Sequence, residues 1–284
     1  MRLSDMQTYT KKRWRWHNYY ISYLVLILLA IPTIFPIFVM LIISFKSFNQ
    51  YTLNPIGFTF PLHFDNYRVA WAFMARSYLN NIIIIGVSTF FILLFGSLTA
   101  YVLARHSFPG RKLLFYFILA VLAIPSTVIL VPSFMLVVKL QILNTMWAVI
   151  LPYIANQSFI ILVLYTFFQG LPEEMFESAR LDGAGHFAIF TKMVLPLSWP
   201  IISAMGIFEV WLHWNDYAWP SLVLSNPEIR TVALQLVTFI DGMNVPEPGQ
   251  SMAASVIASI PLVIMFLFSM RTFIAGLTSG SVKM

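Results

Sequence analysis

Cysteine is absent from the 284 residues, which excludes disulfides, thiolate metal ligation and cysteine catalysis together. Charge is scarce as well: Asp, Glu, Lys and Arg make up 10% of the chain, against 59% hydrophobic residues. At a mean hydropathy of +0.81 there is too little polar surface to cover a globule in water. No G-x-x-x-x-G-K-[ST] loop occurs, so the chain lacks the backbone cradle that an NTPase needs for phosphates. Gly183, Gly185 and Ala188 spell a G-x-G-x-x-A string, but it follows an acidic helical segment rather than a strand and does not support dinucleotide binding. His63, His106 and His186 have no second ligand at metal-binding spacing, and no Ser/His/Asp or paired-carboxylate arrangement emerges. Neither a metal site nor a catalytic residue is expected.

What the chain has in quantity is apolar runs. A spanning helix needs about 20 apolar residues to cross roughly 30 Å of hydrocarbon, and six runs of that order fall near 19–45, 79–104, 113–138, 145–169, 196–223 and 251–272. The expected fold is an all-α membrane protein with six transmembrane helices. It comprises an N-terminal segment 1–18, a transmembrane domain 19–272 with a loop at 170–195, and a tail 273–284. The basic stretch Lys11, Lys12, Arg13 and Arg15 resembles the start of a secretory signal. The apolar part that follows, Ile21 to Ile43, is far longer than a typical signal core of about 7–15 residues, so it reads as a retained helix. Pro32, Pro36, Pro125, Pro132, Pro152, Pro200 and Pro261 fall inside runs, where each removes a backbone donor and tends to kink its helix.

Orientation follows from Lys and Arg, which accumulate in cytoplasmic loops. With the N-terminus inside, twelve of the 17 lie on the cytoplasmic side, among them Arg105, Arg111, Lys112, Arg180 and Lys192. Lys46, Arg68, Arg76, Lys139 and Arg230 fall outside. Both termini are therefore expected in the cytoplasm. The same bias accounts for the net charge of +6, so the basic balance gives no reason to expect nucleic acid as a partner. Membrane lipid is the expected surrounding.

The longest and most charged cytoplasmic loop, 167–200, reads as two short helices. Pro172 suits a helix start, Glu173 and Glu174 place negative charge at the positive end of the dipole, and Gly183 suits a left-handed C-terminal cap. Leu171, Met175 and Ala179, with Phe176 beside them, form an apolar face, while Glu177, Arg180 and Asp182 stay polar. An acidic amphipathic helix of this size fits a groove on a soluble partner better than a lipid surface, which favours basic polar faces.

At these residues the chain resembles the EAA loop of ABC importer permeases: E-A-A, a short gap, Gly, then about nine residues to an I/V-x-L-P. Here the matching residues are Glu177-Ser178-Ala179, Asp182-Gly183-Ala184 and Val194-Leu195-Pro196, with Ser178 where the family usually has Ala. Asp65-Asn66-Tyr67, Leu79-Asn80-Asn81, Ala100-Tyr101-Val102-Leu103-Ala104-Arg105, Trp214-Asn215-Asp216-Tyr217 and Gly276-Leu277-Thr278-Ser279-Gly280 are similar in order and spacing to carbohydrate importers. They match the smaller membrane subunit of maltose-type transporters. The resemblance implies the type I permease fold of a bacterial inner membrane and a heterodimer with a second permease. It also implies two cytoplasmic ATPase subunits that hold ATP and Mg, with no cofactor on this chain, and an extracytoplasmic solute-binding protein. It makes Glu177, Ser178, Ala179, Asp182, Gly183, Ala184, Leu195 and Pro196 the ATPase-coupling residues, and Gly276, Leu277 and Thr278 a second candidate contact. A sugar or oligosaccharide is the expected cargo. Another polar solute, such as a polyol or phosphorylated sugar, is the near alternative, and a stand-alone secondary carrier the distant one.

Ionisable residues inside a span usually face a cavity or a partner. Glu209, His213 and Asp216 recur at spacings of four and three, which on a continuous helix puts them on one face. With Trp214 and Asn215 they are the candidate substrate pathway, since carboxylates accept from hydroxyls and aromatic faces suit pyranose rings. The competing expectation is that Asp216 and the tryptophans mark the outer membrane interface.

Overall fold

The computed structural model describes residues 3–242 and 247–280, with side chains described for 19–242 and 247–269. Among the described residues helices are the only regular elements, as a chain largely in hydrocarbon requires, because a helix satisfies its backbone internally. In chain order they are α1 (Leu3–Ser44), α2 (Phe48–Leu53), α3 (Asp65–Arg105), α4 (Arg111–Leu122), α5 (Ser126–Lys139), α6 (Trp147–Ala155) and α7 (Ser158–Gln169). There follow α8 (Glu173–Leu181), α9 (His186–Ile189), a π-helical stretch Phe190–Val194, α10 (Leu195–Leu197), α11 (Trp199–Trp214), α12 (Ala218–Val223), α13 (Val232–Asp241) and α14 (Pro248–Gly280).

Four of these segments are long and apolar enough to cross a membrane: Tyr19–Ser44, Asp65–Arg105, Trp147–Gln169 and Pro248–Ser269. The other two runs are bent pairs, α4 with α5 at 101° and His186–Leu197 with α11 at 75°, which bring the count to six if each pair is one span. The residues at the breaks explain them. Pro125 takes ψ 134° ahead of α5, and a proline restricts the residue before it away from the helical region. Ser198 sits fully buried between α10 and α11, with Pro200 in the first turn of α11.

Helix bounds differ from the apolar runs in several places, and the run 145–169 is two helices, α6 and α7. Residues 3–18 continue α1, and α3 begins at Asp65 rather than near 79. With 41 residues at 1.5 Å each, α3 is about 60 Å long, twice the hydrocarbon thickness. Polar residues near its start do not break it, since hydropathy marks where lipid ends and not where hydrogen bonding ends. The fifth run, 196–223, is not one helix: α11 stops at Trp214 and α12 starts at Ala218.

The chain divides into two compact units, one of the residues up to Trp71 with Glu247–Ile257, the other of Ala72–Gly242 with the residues from Ala258 on. In the first, α1 carries a nearly unbroken apolar surface, with Leu24, Leu26, Ile27 and Leu28 all more than half exposed, as lipid or a partner helix permits and water does not. Past its end, Lys46 is buried and its ammonium donates to the carbonyls of Asn54 and Pro55. Asn66 Nδ2 donates to Ser44 O and Lys46 O at 3.0 and 2.9 Å.

In the second unit one apolar cluster gathers Ile84, Val137, Val149, Tyr153, Trp219 and Val223. Another lies around Tyr101, Leu164, Phe168, Phe176, Phe190 and Ile202. Asn80 Nδ2 donates to the carbonyls of Glu228 and Arg230, and Asn81 Oδ1 accepts from Val232 N, so the Asn80-Asn81 pair anchors the 228–232 segment.

Gly249 has no room for a side chain, because a Cβ there would stand 2.1 Å from Lys46 O and 2.4 Å from Asn66 Nδ2. Gly249→Ala is expected to destabilise the first unit by about 1–3 kcal/mol, read as a lower unfolding temperature in detergent, whereas Gly86→Ala, with open space around it, is expected to leave it unchanged.

Candidate functional site

The segment between α7 and α11 folds onto the end of α3. Pro172 precedes α8 with φ −59° and ψ 135°, so the helix starts one residue later than the sequence suggests, at Glu173. Glu173 and Glu174 occupy its first turn. The C-terminus is a complete Schellman motif: Gly183 takes φ +77°, Gly183 N donates to Arg180 O at 3.0 Å, and Ala184 N donates to Ala179 O at 2.9 Å. This gives Ala179, Gly183 and Ala184 a structural reason. Gly183 alone adopts the left-handed turn without strain, while Ala179 and Ala184, joined by that bond, both pack on the buried cluster.

Phe176 is the anchor of α8, 3% exposed among Tyr101, Leu164, Phe168 and Phe190, a burial worth about 2 kcal/mol. Beyond the turn, Ile189, Phe190 and Val194 are buried in the same cluster and Leu195 packs against it. Tyr101 and Phe190 rings lie 5.0 Å apart. The loop is thus held by apolar side chains from both of its helices.

Its other face is open. Glu177, Ser178 and Asp182 are exposed, as are Gly183 and Pro196. Two large apolar side chains stand out among them, Leu181 at 89% and Phe187 at 74% exposure. They do not belong to the buried cluster, and neither was singled out from the sequence; the signal available was an apolar residue at each end of the Gly183 turn, off the periodic face.

Charged groups fasten the inner side. Arg105, the last residue of α3, reaches Glu173 Oε2 at 2.8 Å, donates to the carbonyls of Phe168 and Leu171, and lies 4.0 Å from the centroid of Phe176. Glu173 Oε1 is also paired with Arg180. Next to Arg105, His106 Nε2 sits 3.1 Å from His186 Nδ1 at the start of α9. The sequence showed these histidines as scattered; the fold brings them together, because His106 follows α3 directly and His186 opens the helix packed on it.

The second candidate group divides. Glu209 and His213 are buried at 3% and 5% exposure, with His213 Nε2 3.0 Å from Glu209 Oε2, close enough for an ion pair but not aligned as a hydrogen bond. The Tyr153 ring stacks on His213 at 3.8 Å. Asp216 is not on the same helix face, as the spacing suggested, because α11 has already ended; it accepts from Tyr153 OH at 2.7 Å and from Trp219 N at 3.3 Å, as a cap for α12. Trp214 is buried, its Nε1 donating to Ala258 O, and Asn215 donates back to Trp211 O. Within this chain the five residues form an internal joint between α6, α11 and α12, with Asn215 and Asp216 at its rim. Gly276, Leu277 and Thr278 lie in α14; their side chains, and the residues from Ser281, are outside the described set.

Glu209→Leu removes the buried carboxylate that lies 3.0 Å from His213 Nε2, the polar neighbour of that ring, and is expected to cost about 1–3 kcal/mol. Adding His213→Phe, which keeps a ring against Tyr153, is expected to recover part of that loss in thermal unfolding in detergent. A double variant worse than the sum of the single ones contradicts this.

Burial first, then the charges of His186 and Arg180, hold His106 below its ordinary value of 6.5. The docked loop therefore binds fewer protons there than an undocked one. Its contribution is complete above 6.5 and is lost as the pH falls from there through the lowered value. Amide protection factors over 173–197 are expected to fall as the pH drops below the ordinary histidine value of 6.5, and His106→Gln to flatten that fall.

Three comparisons bear on this geometry. The sequence profile of the family described as "Binding-protein-dependent transport system inner membrane component" matches residues 92–278. Among curated proteins, an arabinooligosaccharides transport system permease protein of Halalkalibacterium halodurans is 35% identical over 270 residues, covering 90% of this chain and 93% of that one. A melibiose/raffinose/stachyose import permease protein of Bacillus subtilis is 33% identical over 252 residues, covering 87% and 91%. A diacetylchitobiose uptake system permease protein of Streptomyces coelicolor is 32% identical over 268 residues, covering 93% and 88%. Among solved structures, a chain of a bacterial ABC transporter involved in the import of the acidic polysaccharide alginate superposes with a TM-score of 0.80 at 20% identity, covering 88% of this chain and 94% of that one.

Proposed function

The chain belongs to the binding-protein-dependent transport system inner membrane components, the permease subunits of ABC importers, and on that premise we propose that it forms, with a second permease, the pathway of an ATP-driven oligosaccharide importer. It is a multi-pass protein of the bacterial inner membrane. The relatives named above carry arabinooligosaccharides, melibiose, raffinose, stachyose and diacetylchitobiose in their names, and this shared chemistry of short sugar chains supports the cargo class. Membership of the family sets a stand-alone secondary carrier aside.

The loop from Pro172 to Leu197 docks on one of two cytoplasmic ATPase subunits, and the observation that carries this reading is its two-sided construction. One side is anchored by Phe176, Ile189 and Phe190; the other presents Leu181 and Phe187 amid Glu177 and Asp182. An apolar pair held rigidly in an acidic rim suits a groove on a soluble protein, where a few well-buried side chains dominate the affinity. ATP and Mg belong to that partner, and a solute-binding protein delivers sugar from outside. The excess of Lys and Arg in the loops supports cytoplasmic termini. The helix through Gly276, Leu277 and Thr278 supplies a second contact to the ATPase pair. The Glu209–His213 pair, buried here, serves the pathway by holding the α11–α12 break in shape, with Asn215 and Asp216 nearest to the sugar.

Leu181→Asp changes an exposed side chain outside the buried cluster, so the chain's own fold is expected to persist. The ATPase subunits are expected to be lost from the detergent-purified transporter, with affinity down about 30-fold for a side chain worth 2 kcal/mol at an interface. Unchanged recovery of the ATPase, with uptake intact, contradicts the docking role.

A further inference from the structure

We propose that Arg105 is the positioning residue that fixes the coupling loop to the end of α3, so that a displacement of the loop is passed to that helix. The mechanical part stands on this chain's own geometry; the functional part rests on the docking role proposed above.

A single side chain, 10% exposed, reaches three successive pieces of the segment. Nη2 donates to Phe168 O in the last turn of α7 and to Leu171 O in the turn before α8. Phe168 O also accepts from Leu171 N at 3.4 Å, and Leu171 O lies in the turn between the two helices. Nη1 reaches Glu173 Oε2 at 2.8 Å in the first turn of α8, and the guanidinium carbon lies 4.0 Å from the centroid of Phe176, one turn on. Glu173 turns its second oxygen to Arg180, so the same carboxylate ties the start of α8 both to α3 and to its own last turn.

The apolar cluster beneath resists separation but has little directional preference, since hydrophobic contact is non-directional. Orientation comes from the fork. A planar guanidinium with donors at fixed angles sets where α7, the turn and α8 stand, whereas a lysine ammonium on a flexible stem is a point charge that does not hold three acceptors and a ring together. Because Arg105 ends a helix of 41 residues, a shift of α8 is applied at the tip of a long rigid element. The expectation is therefore that charge alone does not substitute for Arg105.

The chain has no cysteine, so Val102→Cys on α3 and Glu174→Cys on α8, both at exposed positions and outside the docking pair Leu181 and Phe187, carry a pair of spin labels on this chain. The distance distribution measured in the assembled transporter is expected to be narrow with Arg105 present, and broad in both Arg105→Gln and Arg105→Lys. In the same preparations without labels, sugar-stimulated ATP turnover is expected to fall about tenfold or more with basal turnover within about twofold, as the loss of charge-assisted hydrogen bonds implies. Glu173→Gln, which keeps the carbonyl and ring contacts, is expected to lose less. An unchanged distribution in Arg105→Gln overturns the proposal, as does a Lys variant indistinguishable from the parent, which serves also if the Gln variant fails to assemble. A broadened distribution with full stimulated turnover overturns the transmission through Arg105, whereas a failure of the docking role itself is read separately, from unchanged ATPase recovery in Leu181→Asp.

Discussion

No water solvates a backbone inside hydrocarbon, so every place where a spanning helix stops must find its hydrogen-bond partners within the protein. The organisation of this chain follows from how its breaks are answered. Between α11 and α12 the Asp216 carboxylate accepts from Trp219 N and from Tyr153 OH, and the indoles of Trp214 and Trp219 donate to Ala258 O and Ala148 O. Asn144 Oδ1 accepts from Ser225 N and Asn226 N, and Asn80 and Asn81 serve the 228–232 segment. Asp216, Asn144, Asn80 and Asn81 thus serve backbone groups where the helical ladder is interrupted.

The same rule shapes the coupling loop. Arg105 donates to carbonyls in the end of α7 and in the turn after it, and the end of α8 is closed by the Gly183 turn. With its backbone satisfied inward, the loop presents side chains to the outside, Leu181 and Phe187 foremost. A π-helical stretch, Phe190–Val194, and the bend at Ser198 follow directly, so the loop continues into α11, where Glu209 and His213 lie. Such an interrupted ladder is a common place for a helix to flex at a functional site.

Much of this was legible in the sequence because it is local. The spans follow from hydropathy, the cap at Gly183 from the need for a left-handed turn, and the loop's two-faced character from the period of Leu171, Met175 and Ala179. What was not legible depends on partners far along the chain. Asp216 reads as a continuation of the Glu209–His213 face, since nothing in the spacing says that α11 stops at Trp214. Arg105 reads as a cytoplasmic cation that ends the Ala100–Arg105 string, with no partner assigned, until Glu173 and Phe176 are placed beside it, 68 residues away in the case of Glu173. The start of α3 at Asp65 escapes hydropathy because the helix runs on past the membrane. The 101° bend between α4 and α5 sits at a proline that elsewhere, as at Pro132 or Pro261, stays within a helix.

The central claim is that this chain moves oligosaccharide only as part of an ATP-driven assembly engaged through the 172–197 loop. The direct measurement is uptake of a labelled oligosaccharide panel by vesicles reconstituted with this chain and the subunits that purify with it. ATP is supplied on the loop side and the solute-binding protein on the other. The account predicts uptake that requires both, and none from this chain alone under any ion gradient. Gradient-driven uptake by this chain alone, indifferent to ATP, would contradict it.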